Sequence, residues 1–161
     1  MTPQTSGVIA DTHGLVRPEV HTALSGVYLI LHAGDVCGDE VLDELALIAP
    51  VAAVAGNCDP PGHPRLPTAI DRLIGGRTFH VSHGHECGVP SPHKLLAAYS
   101  ADIIVYGHTH RPLVVRNGSR LVLNPGSAGP RRFDIKPTVA RLTVSDAGVD
   151  VEIVALGEGQ S

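Results

Sequence analysis

The chain has 161 residues, the size of one domain with a substantial buried core, and we expect a single domain over residues 1–161. Hydrophobic residues make up 43% of the sequence and charged residues 17%, which excludes the composition of a disordered chain. The formal net charge is −4 and only two residues are lysines, which argues against a broad nucleic-acid surface, since such a surface needs a basic face.

The cysteines and the apolar tracts bear on the compartment. Cys37, Cys58 and Cys87 form no CxxC pair, and an odd number suits no closed disulfide framework. The N-terminal stretch lacks the charged and apolar regions of a signal peptide. The longest apolar tract, residues 45–56, is interrupted by Pro50 and is shorter than the ~18 residues that a membrane span needs. We therefore expect a cytoplasmic protein with no membrane partner.

Short apolar runs rich in Val and Ile recur along the chain and end in Gly or Asp, as buried strands do. They predict strands over residues 7–10, 27–33, 51–55, 78–82 and 102–106. Helical patterns predict helices over residues 17–26, 39–49 and 91–101, the last with Ser91 as N-cap and Pro92 at the first position. Alternation of strand, helix and strand predicts parallel βαβ units in the first half.

The second half predicts mainly antiparallel strands. Residues 68–81 form a predicted hairpin around Gly75-Gly76, and residues 112–124 form another around Asn117-Gly118. Residues 138–156 predict two further strands about a glycine turn. Two mixed sheets packed face to face, with helices outside, would bury such a set, so the expected fold class is α/β (α+β).

Polar residues follow five of the apolar runs, in the segments ADTHG, HAGDV, AGNCD, SHGHE and YGHTH. They are Asp11, His13, Asp35, Asn57, His83, His85, His108 and His110. Ligands of open α/β sheets gather at the carboxyl ends of strands, so we expect these side chains to converge. In an extended segment residues i and i+2 point the same way, which predicts a shared direction for each Asp-x-His or His-x-His pair.

This donor set indicates a metal centre. Imidazole, carboxylate and amide oxygen without a thiolate set suit Mn, Fe, Co, Ni or Zn. The set is too large for a single tetrahedral zinc, but it is enough for two ions if one carboxylate bridges them. Each pair taken alone is a weak signal, and GNCD taken alone is typical of a turn. We expect His21, His63 and His93 at the surface or in caps, and His32 and His80 in the core.

The ordered set DTHG, GDV, GNCD, SHGH and GHTH resembles the calcineurin-like metallophosphoesterase family, and most of all its small prokaryotic phosphodiesterase branch. The segment NPGSAGPRR is similar to a late motif of that branch. The resemblance covers residues 8–132 or so. It implies a four-layer α/β/β/α sandwich of two mixed sheets flanked by helices, in agreement with the two sheets expected above.

The resemblance also implies an assignment of ligands. Asp11, His13, Asp35 and His110 would hold a first metal, and Asp35, Asn57, His83 and His108 a second, with Asp35 bridging the two. His108 and His110 would then each serve a different ion, with Gly107 allowing the turn to come close. His85 is expected outside the ligand set, near the substrate. The expected cofactors are two divalent ions, Mn first, with Fe, Ni, Co or Zn as alternatives.

The implied reaction is hydrolysis of a small-molecule or nucleotide phosphoester by a metal-bridging hydroxide, with no protein nucleophile. Two divalent ions, two aspartates and the hydroxide leave about one positive charge to attract the ester. Asp11, Asp35, Asn57, His83 and His108 are the residues expected to carry catalysis. The sequence contains neither the GxSxG motif of serine hydrolases nor the GK pair of a P-loop.

Three residues are candidates for substrate contacts. The wider family often has histidine where this chain has Cys58, and a thiol is a poor general acid, which predicts a preference for good leaving groups such as aryl diesters. Simple packing is the alternative role for Cys58. His85 is the second candidate. Arg131, beside Arg132, would contact a substrate phosphate or carry a solvated loop charge.

A binding module and two other classes of hydrolase are the alternatives to a phosphoesterase. A binding module of the same fold remains the alternative, since the retromer subunit with this architecture has lost ligand histidines and acts as a scaffold. A metallo-β-lactamase site would need an HxHxDH motif, which is missing, and a TIM-barrel amidohydrolase needs about 250 residues. A homodimer or larger assembly is expected from the family resemblance.

Overall fold

In a computed structural model of the protein, residues 2–131 and 134–157 are described. Three helices lie in these ranges: α1 (Glu19–Ala23), α2 (Asp39–Leu45) and α3 (Pro92–Ala98). The strands are β1 (Gln4–Ile9), β2 (Leu29–His32), β3 (Val51–Ala53), β4 (Ala69–Ile74), β5 (Arg77–Ser82), β6 (Ile103–Val105), β7 (Leu113–Asn117), β8 (Arg120–Asn124), β9 (Thr138–Ser145) and β10 (Gly148–Ala155). A 3₁₀ turn covers His85–Cys87.

The strands form two five-stranded mixed sheets. The first sheet has the order β10-β9-β1-β2-β3, in which β1, β2 and β3 are parallel and β9 and β10 are antiparallel additions. The second has the order β4-β5-β6-β8-β7, in which β5, β6 and β8 are parallel and the edge strands β4 and β7 are antiparallel. Each sheet therefore has parallel strands whose carboxyl ends open into loops at one edge.

Hydrophobic packing stacks the sheets into four layers. The inner core contains residues of both sheets, for example Val8 and Leu31 of the first and Phe79 and Val105 of the second. Helices α1 and α2 cover the outer face of the first sheet, and α3 covers part of the outer face of the second, where Leu95 packs in one cluster with Ile104 and Val122. The predicted α/β sandwich of two mixed sheets flanked by helices is confirmed.

The predicted elements are present, with differences at their ends. The hairpin around Gly75-Gly76 has the predicted two-residue loop, since Ile74 pairs with Arg77. In the next hairpin Asn117 pairs with Arg120, so the loop is Gly118-Ser119, one residue later than predicted. Within the predicted segment 17–26, in which Gly26 is the position just past the helix, α1 ends earlier, at Ala23, and Gly26 has a φ of +79°. Ser91 accepts a hydrogen bond from the Lys94 amide, as expected of an N-cap.

Among the described residues, no helix is long and apolar enough to cross a membrane.

Phe79 tests the inter-sheet core. It is 1% exposed on β5, so Phe79→Ala leaves a cavity between the sheets, and we expect a loss of about 3–5 kcal/mol in unfolding free energy. Leu73 on the neighbouring β4 is 73% exposed, and Leu73→Ala should change that free energy by no more than about 0.5 kcal/mol. Denaturant unfolding of the metal-free protein measures both. Equal losses in the two variants would contradict this core.

Candidate metal centre

The seven residues predicted as metal ligands lie together at the carboxyl ends of parallel strands from both sheets. Asp11 and His13 follow β1, Asp35 follows β2, Asn57 follows β3, His83 follows β5, and His108 and His110 follow β6. The two sheets face each other across the inner core, so the loops at this edge meet above it. The expected convergence of the five loops is therefore present.

One group of side chains surrounds Asp11. Its Oδ1 lies 3.5 Å from Nε2 of His110 and 4.0 Å from Nε2 of His13. The rings of His13 and His110 are 5.4 Å apart between centroids. These three residues form one of the clusters whose ligand atoms are close enough to share an ion.

A second group surrounds His108. Its Nδ1 lies 3.2 Å from Oδ1 of Asn57 and 3.3 Å from Nε2 of His83. Although His108 and His110 are only two residues apart, they therefore face different neighbours. The division of the two histidines between two ions stays a prediction.

Asp35 lies between the two groups. Its Oδ2 is 3.6 Å from Nε2 of His13, in the first group, and 3.3 Å from Nε2 of His83, in the second. Its Oδ1 accepts a hydrogen bond of 2.8 Å from the amide of Cys58. The carboxylate of Asp35 therefore lies within 3.6 Å of a histidine of each group.

The spacing and chemistry of these atoms fit divalent metals. Neighbouring donor atoms across the cluster are 3.2 to 4.0 Å apart. Two ligands bound at about 2.0–2.2 Å to one ion lie about 3–3.5 Å from each other, so small side-chain movements would complete a coordination sphere. Imidazole nitrogens, carboxylates and one amide oxygen are the donors that borderline divalent ions accept. The residues present therefore fit the implied ions.

The ligand loops have an unusual backbone conformation. Six non-glycine residues in the described ranges have φ between +46° and +72°, namely Asp11, His13, Asp35, Cys37, His108 and His110. Five of these six are candidate ligands. Such a conformation costs roughly 1–2 kcal/mol for an ordinary residue, and concentrated strain of this kind marks functional sites. The expectation that Asp11/His13, His83/His85 and His108/His110 each lie in an extended segment is wrong, since β1 ends at Ile9, β5 at Ser82 and β6 at Val105, and a 3₁₀ turn begins at His85.

Two glycines allow the loops to approach. A Cβ on Gly56 would lie 2.1 Å from Oδ1 of Asp35, closer than any side chain permits. A Cβ on Gly107 would lie 3.0 Å from Oδ2 of Asp11 and 3.1 Å from Cβ of Ala10. The role expected for Gly107, close approach of the GHTH turn, agrees with this crowding.

Burial and charge are coupled at the centre of the site. Asp11 and His83 are 0% exposed and Asp35 is 2% exposed. Burial alone would raise the pKa of Asp35, but the hydrogen bond with His83, the Cys58 amide and the nearby histidine charges lower it overall. Burial alone would lower the pKa of His83, but the hydrogen bond with Asp35 and the charge of Asp11 raise it overall. The pKa of His108 is lowered by burial and by the charge of His83.

The residues proposed for substrate contacts lie at the edge of the cluster. His85 is exposed, and its ring is 5.3 Å from that of His83 and 6.3 Å from that of His108 between centroids. Cys58 is exposed, and its thiol is grouped with His13 and Asp35. Arg131 is exposed and lines a small pocket beside His110. Arg132 lies outside the described residues.

Asp59 is a site residue that the sequence did not identify. It is 6% exposed, and its carboxylate accepts hydrogen bonds from the amides of Val36 (3.1 Å), Cys37 (2.9 Å) and Gly56 (2.8 Å). It thereby ties the loop of Asp35 to the loop of Asn57. The signal available was the aspartate that ends GNCD, but no ligand spacing singles out a residue that acts only on backbone amides.

The late segment NPGSAGP packs against the same loops. Asn124 donates to the carbonyl of Gly107 (3.1 Å), and Ser127 donates through its hydroxyl to the carbonyl of Asp11 (3.1 Å). The buried Arg17 donates to the carbonyl of Gly129 (3.2 Å). The segment therefore supports the site from below the GHTH and DTHG turns.

The remaining histidines lie where the sequence predicts. His21 contacts Glu44 (2.8 Å) and His63 contacts Asp39 (2.7 Å) at the surface, and His93 is exposed. His32 and His80 are buried. His80 lines a groove of about 550 Å³ between β4, β5 and the end of α3, and none of the candidate ligands lines that groove.

A family model described as the calcineurin-like phosphoesterase superfamily domain matches residues 5–147. The chain belongs to this superfamily. A probable metallophosphoesterase from Methanothermobacter thermautotrophicus is 37% identical, over 94% of this chain and 92% of the relative. Phosphodiesterase YfcE from Escherichia coli is 36% identical over a shorter stretch, 48% of this chain and 44% of that protein. Wild-type Vps29 from Entamoeba histolytica, in complex with Zn²⁺, has a TM-score of 0.74 at 27% identity, covering 96% of this chain and all of that one.

Proton release on metal binding tests the charge state of His83. Its raised pKa keeps the metal-free imidazole partly protonated at higher pH than an ordinary histidine, and a metal ligand must be neutral. Mn²⁺ binding should therefore release more protons at the lower of two pH values than at the higher, where a smaller fraction of the imidazole is protonated. Calorimetry in buffers of different ionisation enthalpy measures the release. His83→Gln should release fewer protons at the lower pH; release that is equal at both pH values in the wild type would contradict the assignment.

Asp59→Asn tests the tie between the two loops. The amide group presents N–H to at least one backbone N–H, which loses its acceptor, so unfolding free energy should fall by about 1–3 kcal/mol. Metal affinity should fall about ten- to a hundredfold, as it does when other residues that orient metal ligands without binding the metal are replaced. Titration with Mn²⁺ measures it, with Asp71→Asn as control, since that carboxylate is 80% exposed. Unchanged affinity in Asp59→Asn would show that the loops hold their positions without it.

Proposed function

We propose that the protein is a dinuclear metal-dependent phosphoesterase, and specifically a phosphodiesterase. The observation that carries the proposal is the position of Asp35, whose Oδ2 lies 3.6 Å from Nε2 of His13 and 3.3 Å from Nε2 of His83. Membership of the calcineurin-like phosphoesterase superfamily gives the reaction class. The name phosphodiesterase comes from a relative that matches about half of the chain, so the preference for diesters belongs to the proposal.

On this proposal Asp11, His13, Asp35 and His110 hold one ion, and Asp35, Asn57, His83 and His108 hold the other. When bound, two divalent ions attract a phosphoester and generate a nucleophile from water at neutral pH. Mn²⁺ is the proposed ion, with Fe, Ni, Co or Zn as alternatives, since the donor set accepts all of them. The neutral form of His108, favoured by its lowered pKa, is the form that can bind a metal.

The chain's own residues supply orientation. His83 is fixed by a contact of 2.8 Å between its Nδ1 and the carbonyl of Ala33, so Nδ1 carries the proton and Nε2 faces Asp35 and His108. The amide of His108 donates to Oδ2 of Asp11 (3.1 Å), which fixes that carboxylate. Exposed His85, Cys58 and Arg131 border the cluster and are the proposed substrate contacts.

The proposed substrate is a small-molecule or nucleotide phosphoester. We also propose that the protein acts in the cytoplasm and forms a homo-oligomer. Of the three bordering residues, Cys58 occupies the sequence position at which the wider family often has a histidine, and a thiol is a poor general acid at neutral pH. Aryl diesters, whose leaving groups need no proton, should therefore react faster than alkyl monoesters.

A binding module with the same fold is the second candidate function. The similarity to Vps29, which extends over nearly all of both chains, supports this second candidate. The candidate ligands argue for catalysis, because all seven are present and converge, and five of them have left-handed φ, a conformation that clusters at active sites and ligand clamps.

The deciding assay compares hydrolysis of bis(p-nitrophenyl) phosphate with that of p-nitrophenyl phosphate. Chelated protein is tested before and after Mn²⁺ is restored, beside His108→Ala. We expect metal-dependent cleavage that is faster for the diester and lost by at least about a hundredfold in His108→Ala, since that change removes a ligand on which Asn57 and His83 converge.

The controls separate the two candidates. His93→Ala changes an exposed histidine outside the cluster and should keep wild-type activity. Bound metal without turnover of either ester, under any of the five metals, would favour the binding module. Faster turnover of the monoester would keep the phosphoesterase and overturn the preference for diesters.

A further inference from the structure

His32 is a buried histidine beside the candidate metal centre that is not one of its ligands. It is the last residue of β2, is 0% exposed, and pairs in the sheet with Ile9 of β1 and Ala53 of β3. The strands on both sides of it therefore lead directly into ligand loops. Its two ring nitrogens each contact a residue of a different loop, Gly34 and Thr12.

The hydrogen bonds of His32 have a defined direction. The amide of Gly34 donates to Nδ1 (3.1 Å), so Nδ1 carries no proton and the neutral ring carries its proton on Nε2. Nε2 lies 3.0 Å from Oγ1 of Thr12 and donates to it. The Thr12 hydroxyl then donates its own proton to the carbonyl of Val36 (3.1 Å). Every polar atom of the imidazole and the hydroxyl is used in one continuous relay.

The relay joins the two loops that carry both carboxylates of the site. Thr12 stands between Asp11 and His13, and Gly34 and Val36 flank Asp35. Asp11, His13 and Asp35 all have left-handed φ, a conformation that the chain adopts only when its surroundings hold it there. Two backbone hydrogen bonds join the same loops. The amide of His13 donates to the carbonyl of Asp35 (3.0 Å), and the amide of Gly14 donates to the carbonyl of Val36 (2.9 Å).

We propose that His32, acting through the Thr12 hydroxyl, is a positioning residue that holds Asp11, His13 and Asp35 in the arrangement needed to bind two metal ions. The proposal rests on the dinuclear site proposed above and concerns chain residues outside the ligand set. Full burial also keeps the imidazole neutral, lowering the pKa of His32 to about 3, so the relay keeps its direction across the physiological pH range.

A purely structural role would have a different consequence. A core histidine that only fills space contributes to the stability of the metal-free protein and leaves metal affinity unchanged once the chain is folded. A residue that orients ligands changes metal affinity about ten- to a hundredfold when its hydrogen bond is removed. Metal binding, measured beside the stability of the metal-free protein, therefore distinguishes the two.

The test removes one hydroxyl. Thr12→Val keeps the shape of the side chain and removes the hydrogen bonds of the hydroxyl with His32 and Val36. We expect Mn²⁺ affinity to fall about ten- to a hundredfold. The electron paramagnetic resonance signal of a coupled Mn²⁺ pair should weaken as well. Thr12→Ser retains the hydroxyl and should stay within a few-fold of wild type. Thr143→Val is the matched control, since its hydroxyl bonds Thr5 (2.9 Å) in the β1–β9 pair, away from the loops.

A double-mutant cycle ties the effect to His32. The side chain introduced by His32→Asn can still accept the hydrogen bond of the Gly34 amide but is too short to reach Thr12. His32→Asn should therefore lower Mn²⁺ affinity as Thr12→Val does. If both substitutions act by breaking the same hydrogen bond, the double variant should lose no more Mn²⁺ affinity than the more damaging single variant. Additive losses would overturn the relay, as would wild-type Mn²⁺ affinity in Thr12→Val or an equal loss in Thr143→Val.

Failure of the underlying function gives a separate result. Wild-type protein that binds fewer than two Mn²⁺ ions would contradict the dinuclear site itself. Two ions in the wild type, together with unchanged affinity in folded Thr12→Val, would overturn only the role of His32.

Discussion

Two carboxylates, Asp11 and Asp35, are buried within a cluster of imidazoles, and most of the architecture around them follows from keeping both charged. An isolated buried carboxylate is too costly to remain ionised, so it must be paired or bonded to donors. Asp35 accepts from the Cys58 amide and contacts His13 and His83; Asp11 accepts from the His108 amide and contacts His110. Every one of these partners comes from a loop at the same edge of the sandwich.

The two-sheet fold supplies those loops at one edge, because β1, β2 and β3 of one sheet and β5 and β6 of the other are parallel within each set. The ligands stand only a few residues past the strand ends, and five of them have left-handed φ, which turns the chain sharply there. Buried groups that bond mainly to backbone, such as Asp59, Ser127 and His32, hold these bends in place.

The sequence predicted what depends on periodicity and residue type. Buried strands, the Gly75-Gly76 hairpin and the converging ligand loops follow from alternation, turn residues and the rule that ligands gather at strand ends. The backbone of the ligand loops was not predictable this way, because left-handed φ is uncommon for any non-glycine residue and no residue pattern fixes which Asp or His adopts it. The role of Asp59 was missed for a related reason: its partners are amides of residues 36, 37 and 56, which no side-chain pattern encodes.

The burial of the ligands is uneven, and this bears on how a substrate would reach the site. Asp11, Asp35 and His83 form a closed base, whereas Asn57 is exposed and His108 is partly exposed. A catalytic metal site keeps a position open for water or substrate, while a structural site is closed on all sides by protein ligands. In the proposed centre the opening lies on the side of Asn57 and His108, beside Cys58 and His85. On the proposed function, the buried carboxylates would fix the charge of the site and the exposed edge would admit the ester.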